Sequence, residues 1–532
     1  MATPTADRPS IPRDVRPAPG GGRTVVAAVL AVGASIGVGE LVAALVSPAA
    51  SPFLAVGQGA IRLTPEWLKE TAIAWFGTND KLALLSGMVV VIAAITVLAG
   101  LASRRDVRPG LVLVVAMGLL ALAATVTAPT FAPFDLVPPG VAVIVGVLVW
   151  RWLHGLAVGT HGTAATPAAE PGAPAEGERV GVSRQRFLTT AGLTAVGAVA
   201  AGVVGRVINA SAAGPASVTL PPAPAGAAPI PVNADFVADG TPPWLTPVAD
   251  FYRIDTALSV PRISTNSWSL RIHGMVDREV TLTFDQLRSM RLIEAPVTLT
   301  CVSNEVGGTL ISNGRWLGVP MRDVLALAGV KPGAQQIAST SSDGWNANTP
   351  LGPLTDGRNA MLAFGLDGAP LPVEHGFPVR MVVPGLYGYV SATKWITDIE
   401  VTTFDGFTSY WEQRGWGKFG PVKTSSRIDV PRDGATVPAG RTVAAGVAWA
   451  QHTGITGVEV SVDAGPWQPA QLADEPTVDS WRMWRLPLTL AAGQHQLRVR
   501  ATDRTGAVQT GVEALSIPDG ATGWHTVSVT AV

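Results

Sequence analysis

The chain has 532 residues, a length that predicts about three domains. Its formal net charge is −1, which excludes a nucleic-acid-binding protein that depends on a basic surface. Only 14% of the residues are charged and the mean hydropathy is +0.32, values that indicate a membrane protein.

Five segments in the N-terminal part are long and apolar enough to cross a bilayer, which takes about 20 residues. They are 24–46, 82–102, 110–128, 140–158 and 189–208. We expect the first four to form a membrane domain over 24–158 that contacts lipid. The segment 51–75, with Trp67 and Trp75, is too broken to span and is typical of an interfacial helix.

Basic residues beside the spans predict their orientation. The Arg-containing tail 1–23 precedes the first span, and Arg104, Arg105 and Arg108 lie between the second and the third. Placing both segments in the cytoplasm puts every residue after 210 outside. A twin-arginine-like run, 183–188, precedes the fifth span, and a simple positive-inside flank explains its arginines equally well.

The compositions of the remaining segments predict two linkers and two soluble domains. Residues 159–188 and 209–244 contain Ala-, Pro- and Gly-rich stretches typical of linkers. Residues 245–427 alternate short β-type runs with helical pieces and predict an α+β domain. Residues 428–532 predict an all-β, immunoglobulin-like sandwich, with strands separated by turn residues.

Individual elements of these two domains are predicted from hydrophobic pattern and turn residues. The strands expected in the α+β domain are Trp268–His273, Pro296–Cys301, Gln336–Ser339, Val379–Val383 and Ile396–Thr402. Its expected helices are Thr283–Ser289 and Met321–Ala328. The strands expected in the sandwich are Thr442–Ala450, Gly457–Asp463, Trp481–Leu490 and Gln494–Ala501.

Cys301 is the only cysteine in the chain, so it cannot form an intramolecular disulfide. Outside the cytoplasm a free thiol is liable to oxidation. A small buried hydrophobic residue and a metal-ligating thiolate both fit its position between two polar strand-type segments.

Further polar residues cluster between about 250 and 430. His375 and Arg380 lie five residues apart, and the run Pro384–Trp395 combines glycines with hydroxyl groups and an ammonium group. Cations beside glycines suit a phosphate or an extended polar cofactor. A nucleotide is not favoured, because the sequence has no Walker or G-x-G-x-x-G motif. A thiol hydrolase using Cys301 and His375 is the alternative that these residue types allow.

These motifs together resemble the sulfite oxidase family of molybdopterin-dependent oxidoreductases, above all its membrane-bound bacterial branch. The resemblance rests on Thr300–Glu305, Gly307–Gly308, His375–Arg380, Val383–Gly388 and Ser391–Trp395, in the family's order. Tyr252–Thr256 is similar to the family's entry segment. Trp481–Trp484 and Gly523–His525 are similar to parts of its sandwich-type dimerisation domain.

The resemblance implies oxygen-atom transfer at one molybdenum that is held by molybdopterin and by the Cys301 thiolate. A soft thiolate suits this metal. The cofactor contacts that it implies are Tyr252, Arg253, Ser303, Asn304, His375, Arg380, Ser391, Ala392, Thr393 and Lys394.

Three departures from the family pattern bear on the substrate. Sulfite oxidases place an arginine shortly after the metal-ligating cysteine, whereas this chain has Glu305, which would repel an anion. The family's active-site tyrosine falls on Thr408, so Tyr410 is a candidate replacement, and Arg427 is a candidate anion contact. We therefore expect either sulfoxide-type reduction or sulfite-type oxidation, and we favour neither reaction over the other.

The number of spans predicts partners beyond the small-molecule substrate. One span would anchor the chain, so five predict contact with a quinone or another membrane electron-transfer partner. The resemblance also implies a homodimer. A cofactor-less receptor or scaffold of the same fold, with Cys301 merely buried, is the competing non-enzymatic hypothesis.

Overall fold

The structure is a computed structural model that describes residues 21–76, 79–128, 131–158, 184–211, 214–215, 218–222 and 229–532. The chain divides into two compact units, Met1–Ala210 and Ser211–Val532. Most of the predicted tail 1–23 and the predicted linker up to residue 183 lie outside the described residues. So do parts of the predicted linker 209–244.

The first unit is helical over its described residues. Its helices are α1 (Gly21–Val46), α2 (Pro52–Leu63), α3 (Glu66–Phe76), α4 (Asp80–Ala102), α5 (Arg108–Val126), α6 (Val137–Val158) and α7 (Arg184–Ser211). Five helical segments are long and apolar enough to cross a membrane, and they overlap the five predicted spans. The broken segment after the first span forms the separate helices α2 and α3.

Small residues let the helices of this unit approach closely, as in many membrane bundles. A Cβ atom added to Gly37 of α1 would lie 2.4 Å from the backbone oxygen of Ala198 in α7. A Cβ atom on Gly205 of α7 would lie 2.9 Å from the Cα atom of Leu41. The contact between α1 and α7 therefore depends on glycine at both positions.

The α+β part of the second unit contains two sheets. Its elements are β1 (Ser269–Gly274), β2 (Val280–Thr283), α8 (Phe284–Arg288), β3 (Ile293–Thr300), β4 (Ile311–Pro320), α9 (Met321–Ala328), β5 (Gln336–Ser341), β6 (Asn346–Pro350), α10 (Gly352–Thr355), β7 (Met361–Leu366), β8 (Ala369–Pro370), β9 (Arg380–Val382), α11 (Gly388–Ser391) and β10 (Ile396–Thr402). One sheet has the order β2-β1-β10-β5-β6. The other has the order β3-β4-β7-β8, with β9 paired to β7.

The predicted strands and helices of this part are confirmed to within a few residues, but five strands were missed: β2, β4, β6, β7 and β8. Strand β4 is buried along almost its whole length and contains Asn313, Gly314 and Gly318. It therefore lacks the polar–apolar alternation of a half-exposed strand. Strands β6 and β7 also lack this alternation, because β7 is buried throughout and the three central residues of β6 are buried.

The C-terminal part consists of two sheets around an apolar core. Its strands are β11 (Ser425–Val430), β12 (Ala435–Val437), β13 (Gly440–Trp449), β14 (Ile455–Val462), β15 (Gln468–Pro469), β16 (Gln471–Leu472), β17 (Arg482–Leu490), β18 (Gly493–Asp503) and β19 (His525–Ala531). The sheet orders are β11-β13-β17-β16 and β12-β19-β18-β14-β15. Strand β11 pairs with β13, so the sandwich begins slightly before the predicted boundary at residue 428.

The predicted linker 209–244 contains an ordered part. Trp244 is buried, and its indole Nε1–H donates to the carbonyl oxygen of Trp481 at 3.2 Å. The Trp481 indole donates in return to the carbonyl oxygen of Trp244 at 2.9 Å. This reciprocal pair attaches the end of the segment to the sandwich.

Replacing Gly37 with valine should destabilise the helical unit, because the new side chain overlaps the backbone of α7. Overpacking of this kind typically costs about 1–3 kcal/mol. We expect the temperature of half-maximal aggregation in mild detergent to fall. Gly33→Val in the same helix is the matched control, because a Cβ atom there meets nothing within 4 Å. Equal shifts for the two variants would contradict the close α1–α7 contact.

Candidate functional site

Cys301 follows the last residue of β3 and begins the loop that leads to β4. Its backbone N–H donates to the carbonyl oxygen of Leu310 at 2.9 Å, and its own carbonyl accepts from the N–H of Asn304 at 3.0 Å. Burial raises the pKa of the Cys301 thiol, while hydrogen bonds from the N–H and hydroxyl of Ser303 and from the N–H of Val302 oppose this rise. These neighbouring groups favour the thiolate, which is the form that a metal binds.

Asn304 shapes this loop from within. Its side-chain Oδ1 accepts from the backbone N–H of Leu310 at 2.8 Å, and a Cβ atom on Gly308 would lie 2.8 Å from the same oxygen. Glycine at this position therefore leaves the space that the amide group occupies. In the structure the Asn304 side chain closes the loop, whereas Ser303 donates directly to the thiol.

Arg380 supplies a buried positive charge, and its charge and that of Cys301 both act on Tyr252. Its guanidinium donates to the carbonyl oxygens of His375, Met381 and Ala392 at 3.1, 3.3 and 3.4 Å. Burial lowers the pKa of Arg380 to about 10. Among the described residues it forms no ion pair with a carboxylate, and a guanidinium has five N–H donors, so it can still bind an anion.

Lys394 and Arg253 meet at one carboxylate. Lys394 Nζ and Arg253 Nε each donate to Asp255 Oδ2 at 2.8 Å. Burial lowers the pKa of Lys394 to about 8, and Asp255 opposes this shift. Burial and the neighbouring cations also lower the pKa of His375 to about 4, so its ring is neutral. With Arg380 included, the described cluster has three cations against the carboxylates of Asp255 and Glu374, which leaves an excess of one positive charge.

The predicted segment Ser391–Thr393 contacts Arg380 through the backbone carbonyl of Ala392. Its side-chain hydroxyl groups form hydrogen bonds outside the cluster. Ser391 Oγ donates to the carbonyl oxygens of Leu386 and Tyr387 at 3.1 and 2.9 Å. Thr393 Oγ1 lies 2.7 Å from Ser339 Oγ. The side-chain hydroxyls of this segment therefore hold α11 and β5 in place.

Two tyrosines lie close to Cys301. Burial, and then the charge of Cys301, raise the pKa of Tyr252 above its usual range, while Arg380 lowers it. The pKa of Tyr387 is raised to about 12, mainly by burial and also by Asp519 and Cys301. Tyr252 was predicted as a cofactor contact. Tyr387 was not predicted as a site residue. Its position between Gly385 and Gly388 was the sequence feature that could have indicated it.

The two remaining predicted residues occupy different positions. Arg427 Nη1 donates to the carbonyl oxygen of Gly308 at 2.8 Å, and its Nε donates to Asp429 at 2.7 Å. It therefore touches the Cys301 loop while paired with a carboxylate. The described contacts of Tyr410 are with Asn346, Trp411 and Arg414, and its ring lies 3.6 Å from the Arg414 guanidinium carbon.

A small cleft adjoins the Cys301 loop. Its lining includes Asn304, Glu305, Tyr387, Ser425 and Trp449. Among the described residues that line this cleft none is Lys or Arg, so its only full charge is the Glu305 carboxylate. Part of the wall comes from the sandwich, which sequence spacing could not have indicated.

The alternative of a Cys–His dyad gains no support from the contacts. Among the described hydrogen bonds, none joins His375 to Cys301. The His375 ring packs edge-on against Phe251 at 5.5 Å between ring centroids. The described residues also contain no group of three or more His, Cys, Asp or Glu side chains that could hold a metal alone. A metal bound by Cys301 would therefore need further ligands from a cofactor, and the cationic cluster of Arg380, Lys394 and Arg253 suits an anionic one.

Comparisons with known proteins agree with this arrangement. The family described as oxidoreductase molybdopterin binding domain matches residues 257–411. Human mitochondrial sulfite oxidase is 30% identical over 308 residues, which cover 48% of this chain and 55% of that protein. The uncharacterised oxidoreductase YuiH of Bacillus subtilis is 34% identical over 149 residues, which cover 28% of this chain and 72% of YuiH.

Among solved structures, the sulfane dehydrogenase SoxCD of Paracoccus pantotrophus is 24% identical, with a TM-score of 0.48. That match covers 53% of this chain and 80% of the SoxCD chain. The chain spans about half the length of the mammalian sulfite oxidases that it matches.

Replacing Arg380 with lysine should lower the molybdopterin content of the purified protein several-fold. Lysine keeps the positive charge but lacks the planar guanidinium. Only the guanidinium has enough donors to bond three backbone carbonyls and an anion at the same time. Pterin fluorescence after oxidative extraction measures the content. Arg441→Lys, at an exposed arginine of the sandwich, is the control. Equal contents in the two variants would contradict the role of Arg380.

His525 should make the protein less stable in acid. Burial and Arg427 lower its pKa below 6.5, and its Nδ1 accepts from the N–H of Ile428 at 2.9 Å. The unfolded chain then binds a proton more readily, so stability falls as the pH drops below about 6.5. We expect His525→Gln to flatten the fall of the thermal midpoint between pH 7 and 5.

His495 provides a control of opposite sign, because its hydrogen bond to Asp463 raises its pKa. Its contribution to stability is present in acid and is lost as the pH rises through that pKa. His495→Gln should therefore steepen the acid loss. The same response from the two variants would contradict this assignment.

Proposed function

Because the chain belongs to the sulfite oxidase family of molybdopterin-dependent oxidoreductases, we propose that it transfers an oxygen atom at a molybdenum bound by Cys301. The family's cofactor is molybdenum–molybdopterin. The observation that carries the proposal is the presence, in one domain, of the Cys301 thiol and of the buried Arg380 guanidinium, which forms no ion pair with a carboxylate among the described residues. The first suits a soft metal and the second suits an anionic cofactor.

The residues around Cys301 divide into metal and cofactor contacts. Cys301 supplies the thiolate, and Ser303 holds it by donating to the sulfur. Arg380 and Lys394 would neutralise the phosphate of the pterin, with His375 and Arg253 beside them. The loaded cofactor supplies two-electron oxygen-atom transfer. The remaining contacts with the pterin would come from Tyr252 and from Asn304, Ser391, Ala392 and Thr393.

The exposed Glu305 carboxylate on the Cys301 loop supports a neutral oxygen donor over an anion. Glu305 lines the cleft without a Lys or Arg among its described lining residues. Arg427, the nearest cation that sequence predicted, already bonds Asp429. We propose sulfoxide-type reduction, in which two electrons and two protons convert a sulfoxide to a sulfide and water. The similarity to sulfite oxidases keeps sulfite-type oxidation as the second candidate.

The five apolar helical segments support a multi-pass membrane protein. We propose that the basic flanks lie in the cytoplasm and that the catalytic domain, about residues 245–427, lies outside. Electrons for sulfoxide reduction would come from the reduced form of a quinone, a quinol, or from another partner in the membrane. The C-terminal sandwich, about residues 428–532, would be of the immunoglobulin type and would form a homodimer contact.

Wild-type protein made in a host that supplies molybdopterin should contain about one molybdenum per chain, because one thiolate holds one metal. We expect Cys301→Ser to lose turnover and to show altered metal spectra, since a hydroxyl group is a poorer ligand for a soft site. Elemental mass spectrometry measures the metal. No molybdenum in the wild type, beside a control enzyme that loads normally, would overturn the proposal.

Glu305→Gln should discriminate between the two substrate classes. Removing the carboxylate should raise kcat/KM for sulfite about tenfold and change that for dimethyl sulfoxide little, because only the anion is repelled. Steady-state rates measure both reactions, with an oxidised redox dye as the electron acceptor for sulfite and a reduced redox dye as the electron donor for dimethyl sulfoxide. A wild type that oxidises sulfite faster than it reduces sulfoxides would favour the second candidate.

A further inference from the structure

The strand that carries Cys301 lies at the edge of its sheet, and the sandwich covers that edge. Strand β3 has only β4 as a neighbour in the sheet order. On its outer side, the N–H of Thr298 donates to the carbonyl oxygen of Asp479 at 3.0 Å. The N–H of Trp481 donates to the Thr298 hydroxyl at 2.8 Å. The connection before β17 therefore satisfies polar groups that an edge strand otherwise leaves open.

Gln451 binds the same strand next to the cysteine. The residue is 4% exposed, and its Nε2 donates to the carbonyl oxygen of Thr298 at 3.3 Å and to Thr300 Oγ1 at 2.8 Å. Because a carbonyl oxygen can only accept, the nitrogen of this amide must face Thr298. One buried side chain of the sandwich thus holds the two residues that lead to Cys301.

The far end of the Cys301 loop is held by the sandwich as well. Arg427 of β11 donates to the carbonyl oxygen of Gly308. The ring of His525 packs so closely on Gly307 that a Cβ atom there would lie 2.2 Å from it. The sandwich therefore contacts the chain on both sides of Cys301, at the end of β3 and at Gly307 and Gly308 of the following loop.

We propose that Gln451 is a positioning residue for Cys301, so that the sandwich completes the metal site. The inference rests on the proposed role of Cys301 as the ligand. Gln451 acts through Thr300, whose hydroxyl it binds, and fixes the direction from which the sulfur leaves β3. The family match ends at residue 411, so it does not include this contact.

The sole cysteine makes the test specific to the site. In cofactor-free protein from a host that makes no molybdopterin, iodoacetamide can alkylate only Cys301. We expect Gln451→Met to raise the alkylation rate about fivefold, because a lost hydrogen bond of ordinary strength frees the loop. Gln494→Met, at an exposed glutamine of the sandwich, is the matched control and should leave the rate unchanged.

A double-mutant cycle separates positioning from a general loss of stability. Thr300→Val removes the same hydrogen bond from the other side, and it serves alone if Gln451→Met does not fold. We expect each variant to raise the rate and the double variant to match Gln451→Met alone, because that substitution already removes the hydrogen bond to Thr300. Independent, multiplying effects, or no effect of Thr300→Val, would overturn the proposal.

The loaded protein gives a second readout that activity does not provide. Gln451→Met should change the electron paramagnetic resonance spectrum of the reduced metal while the metal content stays near that of the wild type. An unchanged spectrum in a loaded variant would overturn the positioning role. Wild-type protein that loads no metal, but still shows the coupled alkylation rates, would overturn the proposed function and leave the positioning of the thiol supported.

Discussion

In the second unit, buried hydrogen bonds around Thr298 join strand β3 to the sandwich. Its N–H, carbonyl and hydroxyl groups contact Asp479, Gln451 and Trp481, and its hydroxyl also donates to Asn313. Each of these polar groups would cost about 1–3 kcal/mol if buried without a partner. The strand and the sandwich must therefore meet in one register, and Cys301 lies three residues further along the strand.

The second constraint is the excess of positive charge in the cluster of Arg380, Lys394 and Arg253. A buried cation needs a partner, since desolvation is costly. Asp255 serves both Lys394 and Arg253, whereas Arg380 bonds only carbonyl oxygens among the described residues. An anionic cofactor would supply the missing counter-charge. The lowered pKa values of Arg380 and Lys394 have burial as their first cause, which fits a pocket formed before the anion arrives.

Sequence patterns correctly predicted the helices and strands that depend mainly on neighbouring residues in the chain. The apolar spans, helix Met321–Ala328 and strand Ile396–Thr402 follow from hydrophobic runs and turn residues. Strand β4 was missed, because burial on both faces removes the alternation that identifies a strand. The ordered end of the predicted linker was missed because Trp244 finds its partner, Trp481, 237 residues away.

The sequence by itself determined which chemical groups are available at the site. They are the thiol of Cys301, the His375 imidazole, the Arg380 guanidinium and the Lys394 ammonium group, and each lies in a short motif. The tertiary structure decided which of them meet. It placed Tyr387 near Cys301, paired Arg427 with Asp429, and joined Gln451 to Thr300. A motif records neighbours along the chain, whereas the direction of a thiolate and the charge of a cleft depend on side chains brought together by packing between distant strands.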